Sequence, residues 1–207
     1  MSLIEIACFS VKYEIRRDTH LVERLLLTGY RPHELGIFQE THQGIDVIKR
    51  ALKEKLLSLI EEGLQWVIIG GQQGVEWWAS DVVFELQAEY PIQLAIIMPF
   101  LEPHSRWQES KQQQFELLLS QADFVDATSR HPYQAPWQFI ERDKFVVNHT
   151  DGALLVYDDE QVGGTQYIKK LIEEFKLQHD YPLWQITAFD LQEVAEQIEQ
   201  EKWYDTF

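Results

Sequence analysis

Residues 66–79, WVIIGGQQGVEWWA, decide the fold class. The apolar run at 66–69 is short and continuous, which is typical of a parallel strand that is covered by helices on both faces. A glycine-rich turn follows it and opens directly into a segment whose apolar residues recur at spacings of three and four, from Val75 to Leu86. A strand, a glycine turn and a helix in this order indicate a βαβ unit.

The same alternation runs along most of the chain. Apolar runs predict strands at 25–27, 66–69, 94–98, 153–157 and 183–187, and a weaker strand at 124–125. Periodic segments predict helices at 45–59, 75–86, 115–122, 168–175 and after a capping box formed by Asp190 and Glu193. The sequence therefore predicts an α/β fold: a single Rossmann-like, doubly wound, mainly parallel sheet with helices on both faces. Residues 24–207 are expected to form this domain, and residues 1–23 an N-terminal extension.

Composition narrows the classes of partner. The 207 residues carry a formal charge of −16 and no run of Lys and Arg. This disfavours direct nucleic-acid binding, which depends on cations that replace counterions, and binding to anionic membranes. The single cysteine, Cys8, excludes an internal disulfide framework and suits a reducing cytosol, and no apolar run approaches the roughly 20 residues of a membrane span. We therefore expect a cytoplasmic protein without nucleic-acid or membrane partners.

Three turns lie where a parallel sheet binds ligands, outside the carboxyl ends of its strands. The first holds Thr28, Gly29 and Arg31, the second holds Gly70, Gly71, Gly74 and Glu76, and the third holds Gly163, Gly164 and Thr165. Glycines let a ligand approach the backbone, and helix N-termini supply unpaired N–H groups, so these turns suit a phosphate or a ribose. The alternative is that tight strand-to-helix turns need glycine for steric reasons alone.

Two charged residues stand in these turns. Arg31 is able to bind a phosphate or carboxylate through two nitrogens, or else to pair with a surface acid. Glu76 competes with a phosphate at the helix start and suits ribose hydroxyls or base amino groups better. It would also serve as a general acid or base if buried, or simply satisfy the helix dipole.

Several established site types are absent. The strand after the glycine turn ends without the acidic residue of a dinucleotide site, and neither a P-loop nor a G-x-S-x-G elbow is present. The seven histidines show no metal-ligand spacing, so no metal is expected.

The motif TGYRPHELG at residues 28–36 resembles the YpsA-like family of uncharacterised bacterial proteins. That family belongs to the SLOG superfamily, together with Lonely Guy proteins and the DNA-processing protein DprA. The resemblance continues through 70–79, 98–100, 106–107, 121–123, 133–152 and 163–165, and covers roughly residues 24–190. It implies a Rossmann-like fold with a nucleotide or nucleotide-derived ligand at the glycine turns, and it implies no established activity. By position it adds Arg106, Trp107, Gln138 and Arg142 to the ligand-binding residues. Relatives commonly have Asn where this chain has Asp143.

The resulting expectation is a ligand-binding regulator that senses a nucleotide-like molecule and passes its state to a protein partner, with a homodimer expected from its superfamily relatives. One alternative is an N-glycosidic hydrolase like the Lonely Guy enzymes. Residues 162–167 match the glycine-rich signature of those enzymes only in part. The other is a protein-interaction module with a vestigial pocket. In the first two cases Gly74→Asp is expected to block the ligand and leave the fold intact.

Overall fold

The computed structural model describes residues 21–204, which contain one sheet of six parallel strands. The spatial order of the strands is β4-β3-β2-β1-β5-β6, and every neighbouring pair is parallel. Their bounds are β1 Arg24–Gly29, β2 Trp66–Ile69, β3 Gln93–Met98, β4 Phe124–Ala127, β5 Gly152–Val156 and β6 Leu183–Ile186.

Six helices connect and cover these strands. Their bounds are α1 Gln43–Glu61, α2 Val75–Leu86, α3 Glu109–Gln121, α4 Trp137–Asn148, α5 Gln166–Lys176 and α6 Ala188–Tyr204, and a 3-10 turn covers Pro32–Leu35. Helix α1 packs between α2 and α6, whereas α4 packs against α5. Right-handed crossovers place these two groups on opposite faces of the sheet. Both faces of the central strands are therefore buried, which agrees with their largely apolar sequences. None of these helices, within residues 21–204, is long and apolar enough to cross a membrane.

The predicted fold class is confirmed, including the weak strand at 124–125, which pairs with β3 as the edge strand β4. One detail of the prediction is wrong. The capping box before the last helix lies three residues earlier than Asp190 and Glu193. The backbone N–H and the hydroxyl of Thr187 both donate to Asp190 Oδ2, at 2.7 and 2.6 Å. Thr187 directly follows β6, and the periodic apolar residues of the helix begin only later. The apolar pattern alone therefore placed the start of the helix too late. The expected extension at 1–23 lies almost wholly outside the described residues and stays a prediction.

The strand order fixes where the chain reverses direction across the sheet. From β1 to β4 each strand is added on one side, and the chain then crosses back to place β5 on the other side of β1. The carboxyl ends of β1 and β5 therefore flank the topological switch point, the usual ligand position in open α/β sheets. The turns at 28–31 and 157–165 border this crevice, and the turn at 70–74 follows the neighbouring strand β2.

At the opposite edge, an ion pair ties together the starts of β1 and β5. Arg24 donates to Asp151 from its backbone N–H, from Nε and from Nη2, at 2.8, 3.1 and 2.7 Å. Both side chains are about three-quarters covered. Asn at position 151 would remove the negative charge and one acceptor oxygen.

We expect Asp151→Asn to lower the free energy of unfolding by about 1–2 kcal/mol, because two charge-assisted hydrogen bonds weaken. Urea denaturation followed by circular dichroism measures the change. Glu54→Gln, which alters an exposed pair with Arg50, serves as the control and should change stability by less than about 0.5 kcal/mol. Equal effects of the two substitutions would contradict the structural role of the Arg24–Asp151 pair.

Candidate functional site

Glu76 forms the floor of the site beneath the carboxyl ends of β1 and β2. Its side chain is 1% exposed, and its carboxylate accepts three hydrogen bonds. Thr28 Oγ1 donates to Oε1 at 2.6 Å, while the backbone N–H groups of Gly70 and Gln72 donate to Oε2 at 2.9 and 2.7 Å. The carboxylate of Glu76 therefore already accepts hydrogen bonds from the backbone N–H groups that a phosphate would otherwise use.

Arg142 of α4 covers this floor from above. A Cβ atom on Gly70 would lie 1.6 Å from Arg142 Nη1, so only glycine leaves room for the guanidinium group here. Arg142 Nε lies 2.8 Å from Asp143 Oδ1, within ion-pair distance. Both atoms are buried, and neither makes a hydrogen bond within the described chain.

The two carboxyl groups beside Arg142 are both electrostatically perturbed. Burial raises the pKa of Glu76, and the charge of Arg142, the Thr28 hydroxyl and the two N–H groups oppose that rise. Burial likewise raises the pKa of Asp143, again opposed by Arg142. Clustered groups with perturbed pKa values are a feature of functional sites, although structural ion pairs produce them too.

Gly74 joins the second turn to the first. It has a φ of 104°, and a Cβ atom there would lie 2.5 Å from the carbonyl oxygen of Tyr30. The expectation that Gly74→Asp would leave the fold intact is therefore wrong, because the substitution forces both a strained backbone and a clash with another main chain. Gly70 has no such strain and is the better position for a test. Arg31 lies beside Gly74, and none of the ion pairs found between residues 21 and 204 involves Arg31.

The third turn is closed over the switch-point crevice. Glu34 accepts from the N–H of Gly164 at 2.7 Å and from the N–H of Arg31 at 2.6 Å, which links the first turn to the third. Tyr30 Oη donates to the carbonyl of Gln161, and Gly163 packs against the Tyr30 ring. Sequence reasoning missed Glu34. Glu34 stands three residues after Arg31, the spacing of a capping box, and this spacing was the feature of the sequence that could have indicated its role.

An aromatic wall borders the second turn. Trp77 donates from Nε1 to the carbonyl of Gly71 at 3.0 Å and stacks on Phe115 with centroids 5.9 Å apart. Trp107 packs against both rings, at 5.8 Å from Trp77 and 5.2 Å from Phe115. Arg106, which precedes Trp107, is exposed and joins no ion pair of the described part of the chain.

Gln138 lies apart from these groups. It is fully buried, accepts from the N–H groups of Gln134 and Ala135, and donates to Ser129 Oγ and the carbonyl of Pro132. Its amide is thus used to shape the loop before α4 and has little capacity left for a ligand. Thr165 is buried at the start of α5 and makes no side-chain capping bond.

The structure thus brings the predicted residues together in three groups. Thr28, Gly70, Glu76 and Arg142 form the floor and its cover; Gly29, Arg31, Gly74, Gly163 and Gly164 surround the switch-point crevice; and Gly71 and Trp107 belong to the aromatic wall. Arg106 and Thr165 adjoin these groups in the chain, and Gln138 lies apart from them.

Two surface cavities lie away from this site. One, of about 290 Å³, is lined by Trp77, Trp78 and α3, and the other, of about 340 Å³, lies between α1 and α6. Neither is lined by Gly70, Glu76 or Arg142. We place the candidate site by its convergent polar groups, because the chemistry of a site depends on such groups more than on its depth. Trp77 is shared, since it borders the first cavity and also holds the Gly71 carbonyl.

These observations define a class: a Rossmann-like α/β protein with a polar site at the carboxyl edge of its sheet. The model of the YpsA family, described as the YspA SLOG family, matches residues 25–191. A UPF0398 protein of Lysinibacillus sphaericus is 51% identical over 86% of this chain and all of its own length. UPF0398 proteins of Brevibacillus brevis and Bacillus cereus are 45% and 44% identical, over 90% and 86% of this chain and over 100% and 96% of their own lengths. The chain belongs to the YpsA SLOG family, to which the sequence motifs also pointed.

The buried carboxylate yields a prediction with a definite sign. Because the pKa of Glu76 is higher in the folded state than in the unfolded state, folding favours its protonated form. Its contribution to stability is therefore full below the unfolded pKa of about 4.3 and is lost as pH rises through the folded pKa. Gln at position 76 carries no such titration.

We expect the free energy of unfolding of the natural protein, minus that of Glu76→Gln, to fall as pH rises above about 4.3. Urea denaturation of both proteins between pH 4 and 8 measures the difference, in which the titrations common to both cancel. A difference that grows with pH would show that the three donors and Arg142 outweigh burial and hold the pKa below its ordinary value.

Proposed function

We propose that this protein binds a nucleotide or a nucleotide derivative at the carboxyl edge of its sheet and acts as a sensor or regulator. The observation that carries the proposal is the convergence of β1, β2 and α4 on one polar site, where Arg142 lies over the glycine turn and Glu76 lies beneath it. The site adjoins the switch point of the sheet, where ligands of open α/β folds bind.

The distribution of charge supports an anionic ligand in this acidic chain. Arg31 and Arg106 are exposed, and neither belongs to an ion pair of the described residues. Arg31 lies beside Gly74 of the second turn, and Arg106 directly precedes Trp107 in the chain. Exposed guanidinium groups that are free of internal acids are available to a phosphate.

The internal carboxylates refine where the phosphate would bind. Glu76 takes the N–H groups of Gly70 and Gln72, and Glu34 takes that of Gly164. A second anion is therefore disfavoured at these amides by repulsion as well as by the lack of free donors. We infer that the arginines supply the main contacts to phosphate, and that the glycine turns shape the site.

Binding is favoured over hydrolysis because Glu76 is 1% exposed and already accepts three hydrogen bonds. A general acid must reach the atom that it protonates, and this carboxylate faces its own turn. The raised pKa values of Glu76 and Asp143 are the observation in favour of the hydrolase alternative. The same binding experiment tests both functions.

We expect at least one nucleotide or nucleotide sugar to raise the melting temperature by several degrees at saturating concentration, since a ligand that binds only the folded state stabilises it by mass action. Calorimetry then gives the affinity, and chromatography of the incubated ligand detects released base. The absence of any thermal shift across nucleotides and nucleotide sugars would contradict the proposal. Released base that disappears with Glu76→Gln would favour the hydrolase.

Gly70→Ala tests the role of the arginine that covers the turn. The added methyl group displaces the end of a flexible side chain without backbone strain, so the fold is expected to survive while the guanidinium moves. We expect roughly tenfold weaker binding, which corresponds to about 1.4 kcal/mol. Arg142→Gln should lose a similar amount, and the double variant should lose little more than either, since both changes remove one contact.

Asp151→Asn is the control for these variants, because it alters an Arg–Asp pair at the opposite edge of the sheet. It should leave ligand affinity unchanged. Fully additive losses in the Gly70→Ala and Arg142→Gln double variant would show that Gly70 acts independently of Arg142.

A further inference from the structure

The cavity between α1 and α6 is an apolar groove, and none of the candidate ligand-binding residues lines it. Its volume is about 340 Å³. Its walls come from the loop after the first turn, the start of α1 and the first two turns of α6. The apolar side chains that remain half-buried along it are those of Leu35, Val47, Leu191 and Ala195. We call this cavity and the residues that line it the α1–α6 groove.

The size and lining of the α1–α6 groove favour an anchoring side chain over a whole small molecule. Pockets for small-molecule ligands measure roughly 300–1,000 Å³ and hold a few polar groups that orient the ligand. This groove lies near the lower limit, and of the described residues that line it only His42 and Gln192 have polar side chains. His42 already accepts from the N–H of Gly44 through Nδ1. A groove of this kind suits a large apolar side chain of a partner protein.

The stretches of chain that line the α1–α6 groove are acidic. Residues 32–48 contain three acids and residues 177–201 contain six, and neither stretch contains Lys or Arg. Three of these acids, Asp46, Glu193 and Glu196, are exposed and directly adjoin lining residues in the sequence. None of the three forms an ion pair with a cation of residues 21–204. They are therefore available to a positively charged partner.

The cations that follow in α1 do not offset these acids. Lys49 pairs with Asp81 of α2, and Arg50 pairs with Glu54 and Glu201. The potential at the groove is therefore negative. It repels nucleic acid, anionic membranes and a second copy of this acidic chain, and it attracts a segment that carries Lys or Arg.

Both walls of the α1–α6 groove are tied to the third turn of the ligand site. Glu34, which directly precedes the lining residue Leu35, accepts from the N–H of Gly164 at 2.7 Å. On the other wall, the N–H of Ala188 donates to Asp158 Oδ2 at 3.1 Å. A ligand that moves the third turn would therefore also move the edges of the groove.

We propose that the α1–α6 groove docks a segment of a partner protein in which a large apolar side chain is flanked by Lys or Arg. The apolar side chain fills the groove, and the flanking cations meet Asp46, Glu193 and Glu196. Docking there gives the protein a means of passing on the state of its ligand turns. That role rests on the proposed function, whereas the docking itself does not.

Panning a phage-displayed library of random peptides against the full chain tests the proposal. We expect the enriched peptides to combine Lys or Arg with a large apolar residue. Synthetic copies should bind more weakly as sodium chloride is raised, because salt screens the attraction. Ala195→Phe, which fills the groove without changing its charge, should weaken binding by at least about tenfold. Gln192→Arg should also weaken it, because it places a cation on an exposed position of the same wall.

Two matched controls separate the groove from the rest of the acidic surface. Ala88→Phe should leave the affinity unchanged, because Ala88 is exposed and lines neither cavity. Replacing Glu193 and Glu196 together by Gln should lower the affinity roughly threefold. The same change at Glu61 and Glu62, which are exposed at the other end of α1, removes equal charge and should have less effect. Circular dichroism checks that every variant is folded.

Three results would overturn the proposal. The first is a library that yields no basic peptides with an apolar anchor. The second is that such peptides bind the Ala195→Phe and Gln192→Arg variants as tightly as the natural protein. The third is self-association in sedimentation equilibrium that Ala195→Phe abolishes, which would assign the groove to a second copy. No nucleotide is present in these experiments, so a negative thermal-shift screen would contradict the proposed function and leave this result unaffected.

Discussion

The site depends on one buried carboxylate and the groups that hold it. Glu76 accepts from a strand hydroxyl and two turn amides, and Arg142 lies across the same turn from another helix. Without these donors, a fully buried carboxylate would cost several kcal/mol or remain protonated. β1 and the turn after β2 are therefore coupled through the side chain of Glu76, and the guanidinium group of Arg142 requires glycine at position 70.

The fold followed from the sequence because its signals are local and repeated. Short apolar strands alternate with periodic helices along most of the chain, and three of the turns between them are rich in glycine, which agrees with a parallel sheet covered on both faces. The helix α4 at Trp137–Asn148 was not among the predicted periodic segments. Even the two-residue apolar run at 124–125 was enough, since a parallel edge strand needs few residues. The capping box formed by Thr187 and Asp190 was predicted three residues too late, because spacing alone does not show which of two acids three residues apart caps the helix.

The residues that form the site were largely predictable from the sequence, whereas the contacts among them were less so. The three turns converge because carboxyl ends of parallel strands share one edge, which the pattern of elements already implies. That Glu34 accepts from the N–H of Gly164, 130 residues away, depends on a tertiary distance that no single sequence records. Glu76 and Gln138 accept from amides within six residues of themselves, and those contacts depend on the exact shape of each turn. Sequence reasoning treated glycine and helix N-termini as free for a ligand, whereas the protein's own carboxylates occupy several of those amides.

The strand order has a consequence for how the molecule is made. Residues 24–127 supply four adjacent strands and both Thr28 and Glu76, whereas Arg142 and the strands β5 and β6 come from the remainder of the chain. During synthesis the first half emerges with an acidic group at its turn and no cation to cover it. The site is completed only when the crossover helix α4 docks and β5 pairs with β1. A complete site is therefore present only in a domain that has folded as a whole.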